Sequence, residues 1–484
     1  MLSIQNTTME PTIFAQLYEQ YFKIAPEQIT PLPQAGSDRK YYRLTGSGGS
    51  AIGTTNHDRK ENETFIYLAR HFRSKGVHVP EIYGVSEDGL LYLQEDLGHT
   101  ALYDLVKGKP FTEEVEQLYR SSLHALLSLQ IDGAKDFDFR HCYPVQRFDK
   151  TSMFWDLNSF KYYFARTARV LFHEQSLQRD FHNLTDWLLG EPNQYFMMRD
   201  CQSRNIMIRD GEPYFIDFQG GRQGAMQYDV ASLLWQAGAR IPMEKRASLL
   251  EYYISLVQER IPELDVGAFR ERYYGFLLIR MLQVLSAYGF RGLFEGRSHF
   301  LESIPPALEN VRWFMDHIQL PVQLPEIYKI LEELCVHPLF KPKAWNGQDK
   351  PLTVYINSFS FKRGLPQDRS GNGGGFIFDC RGLHNPGRYA AYKQLTGKDT
   401  EVINFLKSDS RMDEFLESVF KVVDISVEDY LERNFESLQV NFGCTGGQHR
   451  SVYAAEAMKQ HLENKYKVRV GIHHIEQELK GNFI

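Results

Sequence analysis

The sequence predicts an α+β chain in two parts. A two-lobed domain, with a small sheet lobe and a larger helical lobe, precedes a small α/β domain with a mostly parallel sheet. Three observations predict it. Strand-like segments crowd the first hundred positions, whereas long aromatic-rich helical periodicity fills about 101 to 190 and 225 to 335. A strand–turn–strand stretch carrying Asp200, Asn205 and Asp217 interrupts the helices. After a break in periodicity at 339–351, strands and helices alternate, and one strand feeds a glycine-rich turn that opens a helix. The expected division is 1–338 (sheet lobe about 1–100, helical lobe about 101–338), a linker at 339–351, and a second domain at 352–484.

At 484 residues the chain exceeds one ordinary core, and 43% apolar residues suffice for two or three domains. A formal net charge of −6 without a long basic run argues against a dedicated nucleic-acid protein. Five scattered cysteines and no charged-then-apolar leader imply a reduced, cytoplasmic protein. Apolar stretches broken by charge predict no membrane-spanning helix.

Each element has a local reason. Ile13, Leu17 and Tyr21 lie at helical spacing over 12–23. The segment from Gln34 to Thr54 reads as a hairpin turned at Gly46–Ser50, and a helix follows over 61–73. Ile82–Val85 and Leu90–Leu93 read as strands ending at Gln94–Gly98. Tyr195–Met198, Ile206–Ile208 and Tyr214–Ile216 read as strands, with Asp210-Gly211 as the turn between the last two. Pro342 and Pro351 mark the linker. Thr353–Ile356, Phe376–Phe378 and Leu438–Phe442 then read as strands, and 411–422 and 451–464 as helices.

The hairpin carries the chemistry. Asp200, five residues before Asn205, can orient a hydroxyl and accept its proton; Asn205 and Asp217, brought side by side, are two oxygen ligands for Mg²⁺ shared with nucleotide phosphates. This is a kinase-like arrangement. No lysine stands in Ala51–Thr55, where the third strand of such a lobe pairs with phosphates, so Arg39 or Lys40 is the candidate cation, and both also read as solvated loop residues. Glu61 and Glu63 open the next helix, where the dipole favours acids regardless of function. Arg280 and Gln283, three apart, share a helix face that suits either a pocket or a plain core.

Ser37–Arg43, Val79-Pro80, Gln94–Gly98, Arg199-Asp200 with Ser203–Asn205, Ile216–Gln219 and Tyr228–Leu234 occur in an order that resembles the aminoglycoside phosphotransferase-like kinases. Among these the chain is most similar to the anomeric kinases of N-acetylmuramate and N-acetylglucosamine. The resemblance implies a protein-kinase-like fold, ATP and Mg²⁺ as cofactors and a sugar as small-molecule acceptor. It implies that Asp200 and Arg199 are catalytic, that Asn205 and Asp217 hold the metal, and that Ser37, Arg39, Lys40, Gln94, Glu95 and Leu97 bind the nucleotide, with Glu95 to Leu97 a hinge whose backbone groups pair with adenine. Asp229 would support the catalytic loop.

In the second domain, Gly443–Ser451 follows a strand and opens a helix, so convergent N–H groups, the helix dipole and Arg450 predict an anion cradle. Cys444 and Arg450 also have the Cys-x5-Arg spacing of cysteine phosphatases, with Asp379 as a remote acid. With Ser358–Pro366, Phe378–Pro386 and Leu395–Asp399, this loop makes residues 352–478 resemble the C-terminal domain of the RNase adapter protein RapZ. That resemblance implies binding of a phospho-amino sugar at Cys444, Thr445, Gly446, Gly447, His449, Arg450 and Arg381, with RNA or a protein as further partners.

Overall fold

The computed structural model describes residues 6–33, 39–340, 352–366, 375–433 and 435–479. The chain divides into two compact units, Met1–Phe294 with Ser303–Lys341 and Glu295–Glu302 with Pro342–Ile484.

In the first unit, helix α1 (Asn6–Phe22) packs Phe14, Leu17 and Tyr18 on to a sheet of β1 (Gln28–Pro31), β2 (Lys40–Gly46), β3 (Gly49–Thr55), β4 (Ile82–Val85) and β5 (Leu91–Glu95). The strand order is β1-β2-β3-β5-β4, antiparallel throughout. Glycine at 53 is what lets the helix approach, since a Cβ there would lie 2.7 Å from the Phe14 ring. β1 was not expected; its four largely exposed residues carry no apolar period. Helix α2 (Arg59–Ser74) starts two residues earlier than predicted because Asp58 caps it, accepting from the Glu61 N–H at 3.2 Å.

The helical lobe includes α3 (Glu113–Ile131), α4 (Lys150–Ser159), α5 (Met226–Leu234) and α6 (Val266–Tyr288). Between α4 and α5 run two small antiparallel pairs, β6 (Tyr195–Met197) with β9 (Arg222–Gly224) and β7 (Ile206–Arg209) with β8 (Glu212–Phe215). Asp210 and Gly211 both take positive φ (54° and 83°), the tight two-residue turn that the Asp-Gly pair announces. Among the described residues one helical stretch, Val266–Phe294, is long and apolar enough to cross a membrane, and 61% of its apolar 18-residue window is buried within the protein, as in a core helix.

The second unit holds a parallel sheet, β11-β12-β10-β13, of β10 (Thr353–Ser360), β11 (Phe376–Asp379), β12 (Ser437–Cys444) and β13 (Arg469–His474). Helix α7 (Met412–Glu432) runs well past the predicted end at 422, and α8 (Arg450–Lys465) follows β12. Val354, Ile356, Val440, Phe442, Val423, Ala455 and Met458 form its core. The predicted linker lies outside the described residues except for Leu339 and Phe340, which end a short 3-10 helix.

Candidate functional site

The loop expected to be catalytic runs from β6 to β7, and its backbone is held from α5. Asp229, fully buried, accepts the N–H groups of Met198 (2.7 Å) and Arg199 (2.8 Å). Burial pushes its carboxyl up to about 7 while those two donors pull it back. Arg199 and Asp217 both adopt left-handed φ, 70° and 60°, a cost of about 1–3 kcal/mol each for side-chain-bearing residues. Asn205 donates from Nδ2 to the Asp200 carbonyl at 2.9 Å, and its own backbone carbonyl accepts the Ile216 N–H at 3.0 Å. Those two bonds set Asn205 beside the residue that follows Ile216, which is Asp217.

Asp200 is 46% exposed at its side chain, open to an acceptor. Its Oδ1 accepts from Arg280 of α6 at 2.9 Å and from Gln202. Arg199 is placed differently from expectation. Its guanidinium makes a two-pronged pair with Asp156 of α4 (2.6 and 3.0 Å) and lies over Phe148 and Tyr228, which gives it a structural role instead of a part in proton transfer. The cause is the left-handed turn at Arg199, which sends successive side chains to different sides.

From the sheet lobe, Arg39 enters the same cleft. It is 3% exposed, its Nη2 stands 3.1 Å from the Glu61 carboxylate at the start of α2, and its Nε has no hydrogen-bond acceptor among the described residues. Asp217 is exposed, with protein packed closely around its carboxyl. The protein around it pushes its carboxyl up, donation from Gln219 pulls it down, and the charges of Asp200, Arg39 and Glu61 all act on it. Lys40 is corrected: consecutive residues of an extended chain face opposite sides, and its Nζ pairs with Glu10 of α1 at 3.3 Å. Ser37 lies outside the described residues.

At the hinge, Glu95 is likewise corrected. Its carboxylate binds Arg209 (2.5 Å) and Arg73 (3.1 Å), tying β7 and α2 to β5, and its N–H is taken by the Glu81 carbonyl at 2.8 Å. The buried Oε1 of Gln94 has no partner among the described residues, and Leu97 is buried. The Asp96 side chain anchors the hinge to the β2–β3 hairpin through Arg43 (2.7 and 3.0 Å) and Ser50 (2.5 Å).

As for a metal, Asn205 and Asp217 offer hard oxygen donors, and no group of three or more His, Cys, Asp or Glu side chains among the described residues could hold one alone. That fits an ion shared with bound phosphates, not one caged by protein.

In the second unit, Cys444 ends β12 and its buried sulfur receives the Gly447 N–H at 3.1 Å, with Ser451 Oγ also at 3.1 Å. Gly447 has φ 63°, and a Cβ there would come 2.3 Å from Glu476 Cγ, so only glycine closes the loop. Thr445 and Gly446 are exposed and form its open lip. Arg450 is buried, with one arm spent on the carbonyls of Arg381 (3.0 Å) and Leu383 (2.7 Å) and its Nε without a partner among the described residues. His449 is anchored to the Tyr392 carbonyl at 2.9 Å, and Arg381 pairs with Asp379 while covering the Phe361 ring. Donation from Arg381 holds the Asp379 carboxyl low.

Residues 28–265 match the phosphotransferase enzyme family (APH), and residues 352–478 match the RapZ C-terminal domain. A curated nucleotide-binding protein of Caldicellulosiruptor bescii is 33% identical over 192 residues, 39% of this chain and 62% of the relative. Another from Thermotoga petrophila is 38% identical over 161 residues, 33% of this chain and 54% of the relative. The chain thus spans less than two thirds of these relatives' length. Among solved structures, aminoglycoside phosphotransferase APH(4)-Ia is 16% identical (TM-score 0.41, covering 62% of this chain and 98% of that one). Choline kinase from Cryptosporidium parvum is 12% identical (TM-score 0.46, covering 68% and 99%). Residues 28–265 are thus similar to the APH phosphotransferase family and residues 352–478 to the RapZ C-terminal domain.

Proposed function

We propose that this protein is an ATP- and Mg²⁺-dependent kinase for an amino sugar of cell-wall metabolism, of the N-acetylmuramate or N-acetylglucosamine type, working in the cytoplasm. The observation that carries the reading is the buried Arg39 beside Glu61 and Tyr41, with an Nε that has no acceptor among the described residues, near enough for its charge to act on Asp217. A buried guanidinium with a free donor is built for an anion. It supplies from the start of β2 the positive charge that the third strand lacks, which weakens the competing reading of a nucleotide-binding scaffold without turnover.

In this mechanism adenine lies against the hinge at Leu97 and the phosphates meet Arg39. Mg²⁺ held by Asn205 and Asp217 would neutralise charge on the phosphates. Asp200 aligns the acceptor hydroxyl and receives its proton as the oxygen attacks the γ-phosphorus and the bond to the β–γ bridging oxygen breaks, releasing ADP, and Asp229 keeps the loop carrying Asp200 fixed.

The acceptor class rests on the fusion: a kinase joined to a domain that would sense a phospho-amino sugar at Thr445, Gly446, Gly447 and Arg450 is coherent if both handle related sugars. RNA or protein contacts of that domain follow the same resemblance. An ADP-release assay over a panel of amino sugars with ATP and Mg²⁺ tests the reading. Turnover with an N-acetylated amino sugar well above the rate with water supports it; turnover only with choline-like or aminoglycoside acceptors refutes the sugar assignment.

A further inference from the structure

Resting on the phosphotransferase reading above, we infer that Arg280 is a positioning residue that fixes the carboxylate of Asp200 for the acceptor hydroxyl. Arg280 lies on α6, 6% exposed at its side chain, too deep to meet a substrate directly. It nevertheless reaches the catalytic carboxylate: Nη2 donates to Asp200 Oδ1 at 2.9 Å and Nη1 donates to Gln283 Oε1 at 2.7 Å. Gln202 donates to the same Oδ1. Both protein donors thus hold one oxygen of Asp200, and Oδ2 is left as the oxygen that faces an acceptor.

The guanidinium is itself well held. Gln283 sits one helical turn along α6, and the Tyr228 ring lies 5.8 Å from the Arg280 Cζ and 5.8 Å from the Arg199 Cζ. Tyr228 and Asp229 are neighbours on α5, so the residue that holds the loop backbone and the ring that flanks Arg280 come from one turn of helix. Two independent restraints therefore converge on Asp200. Asp229 fixes where its backbone runs, and Arg280 fixes which way its carboxylate turns. An unrestrained carboxylate beside a metal position would be drawn to the cation and lost to the hydroxyl.

The test is a double-mutant cycle in the full-length protein, read with MgATP and N-acetylglucosamine or N-acetylmuramate. Arg280→Met keeps the length and removes the charge, and it should lower kcat about 10–100-fold while KM for MgATP moves less than about twofold. Arg280→Lys, able to keep one contact, should recover part of the loss. In an Asp200→Asn background, Arg280→Met should cost nothing further, because its effect acts only through that carboxylate. A structural role would instead multiply with the Asp200 loss and weaken MgADP binding.

Unchanged kcat in Arg280→Met, or losses that multiply in the double variant, overturn the inference. If Arg280→Met does not fold, the Lys variant carries the same comparison. If the wild type transfers phosphate to no sugar, the acceptor reading fails alone, since slow ATP hydrolysis to water still reads Asp200 and the same non-additive pattern is expected there.

Discussion

Replacing Arg39 with methionine removes the charge and keeps most of the volume of a side chain that is 3% exposed. Two effects follow. The nucleotide phosphates lose a charge-assisted donor, worth about 1.5–3 kcal/mol, which is about 10–150-fold in affinity. Glu61 also loses the guanidinium 3.1 Å away, although it is a third exposed, stays bonded to Asn56 at 2.7 Å and sits at a helix N-terminus, so the fold should survive. Steady-state kinetics should show KM for MgATP rising by about that factor with a smaller fall in kcat, and titration calorimetry with MgADP should show the matching loss. Arg39→Lys should lie between, because a point charge keeps attraction and loses the fork. Wild-type affinity and turnover in a folded Arg39→Met protein would refute the assignment and return the cation to some other residue.

Asp200→Ala should cut kcat by about 10²-fold or more with MgADP still bound, whereas Asp217→Ala should weaken Mg²⁺-dependent nucleotide binding itself, both read by kinetics and calorimetry. The raised pKa of buried Asp229, about 7, means the folded protein holds a proton that the unfolded chain has released. Stability should therefore fall as pH rises from about 4 to 7, and Asp229→Asn should flatten that slope in denaturant titrations while slowing turnover, because one loop N–H loses its acceptor. In the second domain, Gly447→Ala should abolish binding of glucosamine 6-phosphate, since the new Cβ meets Glu476 at 2.3 Å at a positive φ. Arg450→Ala should lose binding and some stability together, whereas Cys444→Ser should bind within a few-fold, all followed by calorimetry and thermal melts.

What the sequence made legible was local. Asp200, Asn205 and Asp217 are joined by a hairpin whose Asp-Gly turn and strands are readable in a short window, and the glycine-rich loop after β12 announces itself the same way. The rest depended on distant partners. Arg39 and Lys40 are adjacent and chemically alike, and only the register of β2 beside α1 decides that one faces Glu61 and the other Glu10. Glu61 looked like any acid at a helix start, and nothing in its window pointed to a guanidinium from the preceding hairpin. Arg280 is 80 residues from Asp200, so its helical spacing said only that it shares a face with Gln283. The strands β9 and β13 were missed because Arg-Gln-Gly and Arg-Val-Gly-Ile-His-His lack a clear apolar period, and pairing with β6 and β10 is what makes them strands.

The most direct test is phosphorus NMR of a reaction containing the wild-type protein, ATP, Mg²⁺ and N-acetylglucosamine or N-acetylmuramate, run beside Asp200→Ala. The account predicts a new sugar-phosphate resonance growing as the γ-phosphate of ATP disappears, with the variant leaving ATP intact on the same timescale. Inorganic phosphate as the sole product, or equal sugar-phosphate formation by the Asp200→Ala protein, would contradict it.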